Sequence, residues 1–160
     1  MCLNCEKAST ARPDRERIGY VVMLQPKILD RDRLMSWYSD TQFFAEVSYL
    51  IGRWYTARFI PAHRMLYTLR KQEGMKDQDA RGHGIPGFHA YSDIWDAVSV
   101  VERKNEYSKS LKQEQCYVVV EAVFKELRAN GKTSGYQSAF RAQRRKILHI
   151  VNIKNLKDEL

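Results

Sequence analysis

Gln115-Cys116-Tyr117-Val118-Val119-Val120-Glu121-Ala122-Val123-Phe124 decides the fold class. Read with a period of two, Cys116, Val118, Val120, Ala122 and Phe124 share one side; Tyr117, Val119, Glu121 and Val123 share the other. β-Branched and aromatic residues dominate, as strands prefer. Both sides are mostly apolar, so the segment predicts a central strand covered on two faces.

Working outward, Ile18 to Leu24 is a second strand, ended by Pro26. Phe88 to Tyr91 is a short extended piece. Ser92 is placed as the N-cap of a helix that carries Asp93 and Asp96 in its first turn. Ile94, Trp95, Ala97, Val98 and Val101 form its buried stripe, and it is expected to end near Asn105. A polar connection covers 106–114. Asn130-Gly131 is a turn signal. Tyr136 to Gln143 fits helix or strand. Lys146 to Ile153 reads as a last strand, with Ile147, His149, Val151 and Ile153 on one face and Leu148 and Ile150 on the other.

The remainder is less regular. Phe43, Phe44, Val47, Leu50, Ile51 and Trp54 fall at helical spacing, which predicts a helix over about 41–51. A short strand from Trp54 to Ile60 follows. Arg64 to Arg70 reads as a strand with Met65, Tyr67 and Leu69 on one face, and 72–87 as a long loop rich in glycine and charge. Residues 1–17, with Pro13 among charged neighbours, read as a flexible N-terminal arm. The sum is an arm followed by a single globular α+β domain over 18–160: a mostly antiparallel sheet of about five or six strands with one or two packed helices.

The chain has 160 residues and a formal net charge of +8. Residues 131–160 hold seven cations against Asp158 and Glu159, a net of +5. Such a field attracts phosphates by counterion release and speeds encounter with acidic partners. It also serves as a solvated, solubilising face. No run approaches the roughly 18 apolar residues of a membrane helix. Met1 is followed by no apolar signal region. Lys157-Asp158-Glu159-Leu160 spells a retention address for the secretory route, and without a signal it reads as chance or as the charged end of the last strand. A cytoplasmic setting and no membrane partner are expected.

Few motifs carry chemistry. Cys2-x-x-Cys5 has the spacing of half a zinc site, but the second ligand pair is missing, so no metal is expected. No phosphate-binding loop, dinucleotide fingerprint or hydrolase elbow is present, and no cofactor is expected. Gly87 to Ser92 leads straight into a helix N-terminus, where free N–H groups can hold an anion. His89 and Tyr91, two apart, share a side there; plain packing is the competing reading. Near the carboxyl end, Arg141, Arg144 and Arg145 share a face if that segment is helical. Lys146 adjoins them, and Tyr136 and Phe140 could stack on bases or pack on the sheet.

Two resemblances add to this. Leu66-Tyr67-Thr68-Leu69-Arg70, then Gly84 to Ser92, Ala97, and Cys116 to Phe124 resemble the core of the ADP-ribosyltransferase fold over about 64–125. The resemblance implies an NAD or nucleotide cleft near Tyr67, Arg70, His89, Tyr91 and Glu121. The family's histidine-glycine is replaced by Tyr67-Thr68 or Arg70, and Glu121 and Glu126 do not form its Glu-x-Glu, so it implies the fold more than the activity. Met1-Cys2-Leu3, Gly87 to Tyr91, and Arg141-Ala142 with Arg144 and Arg145 resemble small bacteriophage proteins. That implies a phage accessory setting and no particular reaction.

Three functions compete. The first is a non-enzymatic module binding nucleic acid or an acidic host protein through 136–157, and it is favoured slightly. The second is a nucleotide-binding protein, possessing or lacking catalysis, on the ADP-ribosyltransferase-like fold. The third is an interaction protein whose charge only gives solubility. The oligomeric state is open.

Overall fold

A computed structural model describes residues 4–25, 33–36, 48–57, 61–76, 87–112, 116–133 and 135–160, and among these described residues there are eight strands and three helices. The strands are β1 (Asn4–Ala8), β2 (Arg17–Leu24), β3 (Arg33–Ser36), β4 (Ser48–Leu50), β5 (Trp54–Thr56), β6 (Phe88–Tyr91), β7 (Tyr117–Lys132) and β8 (Ser138–Ile150). The helices are α1 (Pro61–Gln72), α2 (Ile94–Ser110) and α3 (Ile153–Asp158). Every pairing among the described strands is antiparallel. The α+β class holds, with more strands than the five or six expected because short pieces extend the edges. Among the described residues no helix is long and apolar enough to cross a membrane.

β7 is the centre of the sheet. It pairs with β2 along Arg17↔Phe124 to Leu24↔Tyr117 and with β8 along Val120↔Ile150 to Lys132↔Ser138. β8 also pairs with β6, and β6 meets β2 at Tyr20↔Tyr91. β2, β7, β8 and β6 therefore close a ring. Its dry inside holds Met23, Val120, Ala122, Phe124, Phe140 and Ile147 with Tyr49, Tyr55 and Phe88. Outside, α2 lays Ala97, Val98 and Val101 on Val22, Tyr91 and Val119. The two apolar sides of β7 thus serve two cores, as its alternation predicts. Gly19 permits the tight closure: a Cβ there would lie 2.6 Å from Phe140 and 2.9 Å from Ala90.

Several expectations are corrected. Asn4–Ala8, assigned to a flexible arm, is β1, antiparallel to β7 at Lys132, Asn130 and Ala129. Ser48–Leu50, assigned to a helix over 41–51, is strand β4; residues 41–47 lie outside the described residues, as do 58–60 and 77–86. Arg64–Arg70 is helix, not strand. Pro61 suits a first helical position, the run of Met, Leu, Arg, Lys and Gln favours helix, and Gly74 at φ +84° closes it. There the Met75 N–H donates to Arg70 O and the Gly74 N–H to Lys71 O.

Asp93, not Ser92, caps α2: its carboxylate accepts from the Trp95 N–H at 2.7 Å. That helix runs past Asn105 to Ser110. Asn105 instead clamps the start of β7, accepting from the Tyr117 N–H at 2.8 Å and donating to Tyr117 O at 3.0 Å. Asn130-Gly131 remains in β7, paired with Phe140 and Ala139. The strands are joined instead where Thr133 and Gln137 exchange hydrogen bonds. The last strand is longer and ends earlier than expected. A register shift opposite Glu121/Ala122 leaves Leu148 over, so Ile147 and Ile150 both reach the inner core. Ile153–Asp158 is helix α3.

Candidate nucleic-acid interface

The basic run Arg141 to Lys146 lies on β8, not on a helix, so strand alternation splits it. Arg145 pairs across with Phe124 and Tyr55 and points inward. It is 2% exposed. Its guanidinium sits 4.2 Å from the Phe88 ring and 4.6 Å from the Tyr49 ring, a cation held by aromatic faces in a dry interior. Arg141 is also buried, opposite His89 and packed on Gly87, where a Cβ would lie 3.3 Å from the arginine's own. The expected common face of Arg141, Arg144 and Arg145 therefore does not exist.

Arg144 and Lys146 go the other way. Cross-strand register sets Lys146 beside Trp54 and Val123, and Arg144 beside Thr56 and Lys125. Three cations surround one indole: Lys125 Nζ at 4.9 Å, Arg144 Cζ at 5.1 Å and Lys146 Nζ at 5.2 Å from the Trp54 ring. All four side chains are partly exposed. Lys125 also reaches Glu16, 3.4 Å away. Arg128, exposed on the same strand, donates to Gln143 Oε1 at 3.2 Å. The arrangement concentrates positive charge around a stackable aromatic ring, drawn from β5, β7 and β8.

Trp54 and Lys125 were absent from the sequence-based candidates. Lys125 was within reach: it continues the Tyr117-Val119-Glu121-Val123 side of the central strand by one step. Trp54 carried no such signal, because its partner strand lies about ninety residues away in sequence.

The other candidates scatter. Phe140 is fully buried, edge-on to Phe124 at 5.0 Å. The Arg17 guanidinium covers its ring at 4.1 Å. Tyr136 is 84% exposed in the β7–β8 turn, several residue pairs from Lys125↔Arg144. Tyr67 and Arg70 lie on α1, so the strand that the ADP-ribosyltransferase resemblance requires there is absent. His89 and Tyr91 share a side of β6 as their spacing predicts, but Tyr91 is buried against α2. Burial pushes the His89 imidazole down to about 3, which keeps it neutral near pH 7. Glu121 stands in a row across three strands, its oxygens 3.5 Å from the Tyr20 hydroxyl and 3.5 Å from His149 Nε2. Burial, then Glu121, raises the Tyr20 phenol.

Cys2 lies outside the described residues, Cys5 is on β1, and Cys116 is an exposed thiol. Among the described residues no group of three or more His, Cys, Asp or Glu could hold a metal ion. No protein-family model, curated protein or solved structure matches this chain, so its own geometry carries the functional reading.

Proposed function

We propose that the protein is a small basic accessory module, of the phage type its sequence resembles, that binds single-stranded nucleic acid without catalysis through the outer face of β5, β7 and β8. One observation carries this reading: Lys125, Arg144 and Lys146 gather within 4.9–5.2 Å of the Trp54 ring. Like charges repel, and the indole quadrupole offsets only part of that cost. A polyanion relieves the repulsion. The flexible cationic heads swing to phosphates and leave the ring for a base, the pairing of stacking platform and charge that single strands favour. An acidic protein would satisfy the cations and leave the indole without a stacking partner.

Fluorescence anisotropy with labelled oligothymidine tests this. Binding is expected at low salt, weaker for a duplex of equal length. The log-log salt slope should be about −2, since roughly 0.7 counterions are released per single-strand phosphate contacted. Trp54→Ala should weaken binding about tenfold, within the 1–3 kcal/mol of one base stack. Absence of binding at low salt, or preference for an acidic polypeptide over the oligonucleotide, overturns the proposal.

A further inference from the structure

Beside the platform lies an open groove of about 1070 Å³, walled by the segment 9–17 and by Leu127 and Asn130 of β7. Local hydrogen bonds build it. The Ser9 N–H donates to Arg128 O and the Glu126 N–H to Pro13 O, which hold the segment alongside β7, and the Arg15 N–H donates to Arg12 O within it. Glu126 takes φ +55° at this point, in the left-handed region.

Three arginines are among the residues that line the groove, Arg12, Arg15 and Arg17, together with the acidic Asp14 and Glu16. Arg17 is the fixed one. It donates to Asn130 Oδ1 at 2.7 Å and to Ser92 Oγ at 3.0 Å, and stacks on Phe140. Both acceptors are neutral, so these bonds set its direction without cancelling its charge. Glu16 is shared: it lines the groove and lies 3.4 Å from Lys125 of the platform. The two regions therefore adjoin at that ion pair.

We propose that this groove is the second half of the interface and carries the sugar–phosphate backbone of the strand whose base lies on Trp54. The inference rests on the nucleic-acid reading above and extends it to a path: Trp54, Lys125, then Arg17 with Arg12 and Arg15. Glu16 is the internal anion at the junction. It occupies Lys125 in the free protein and competes with an incoming phosphate for it.

The experiment compares oligothymidines of four and twelve nucleotides, the shorter near the lower end of known single-strand site sizes and too short to use both regions fully. The Arg12→Ala, Arg15→Ala double variant should lower the ratio of twelve-mer to four-mer affinity at least fivefold. Lys146→Ala should weaken both lengths alike and leave that ratio unchanged. Glu16→Gln should tighten binding of both lengths two- to fivefold, a gain that a misfolded variant would not show. An unchanged length ratio in the double variant, with Trp54→Ala still weakening binding, overturns the groove path and leaves the platform standing. Failure of the unaltered protein to bind either oligomer removes both.

Discussion

Two halves of one basic run behave as different materials. Arg145 and Arg144 are adjacent in sequence, yet one is sealed among Tyr49, Tyr55 and Phe88 while the other stands over Trp54 on the outer face. The inner guanidinium is buried against aromatic faces, so its worth is stability. The outer one keeps its water, stabilises little, and is free to exchange partners. A count of cations near the carboxyl end treats them as one patch; the closed sheet sorts them into a core component and a docking surface.

The largest way to break this contrast is to remove the inner cation. Arg145→Ala should cost about 3 kcal/mol of folding stability, as large core truncations do, read by chemical denaturation. A loss below about 1 kcal/mol would mean that the interior does not depend on it. Arg145→Met, which keeps the stem, should lose less.

Acid sharpens the contrast next, through His89, which pairs across β6 and β8 with the buried Arg141. Its folded pKa is lowered to about 3, below the ordinary 6.5. The unfolded chain therefore takes up a proton first as pH falls. Stability is full above about 6.5 and declines from there toward 3, by up to about 1.4 kcal/mol per pH unit. His89→Gln should flatten that decline. An equally steep fall in the variant would assign the acid sensitivity to other groups.

The smallest effect on stability belongs to the outer pair. Arg144→Ala with Lys146→Ala should move folding stability by less than about 1 kcal/mol. The same change should reduce the magnitude of the salt slope for single-strand binding by about 1.4, two contacts at about 0.7 each. A slope that stays the same would remove these two side chains from the interface.

How much was legible follows the range of each signal. The period of two over 117–124 is local and reads correctly, down to which residue joins which core. The helix over 61–72 was missed because its seven central residues also alternate; the deciding signals, Pro61 and Gly74, stand outside them. The Asn130-Gly131 turn failed because pairing with Phe140 and Ala139 outweighed a local turn preference. Of the candidate interface, the sequence itself points to Arg144 and Lys146, and Lys125 lies one alternation step further along the central strand.

By itself the sequence determined the antiparallel α+β class, the doubly covered central strand, the amphipathic helix after Tyr91 and the surplus of positive charge, because each is written in spacing and composition over a few residues. Tertiary structure alone decided which arginines are sealed and which are presented. That choice depends on closure of β2, β7, β8 and β6, on the register shift at Leu148, and on β5 arriving beside β8. All three are pairings between distant segments, where a slip of one residue would exchange the inside of a strand for its outside.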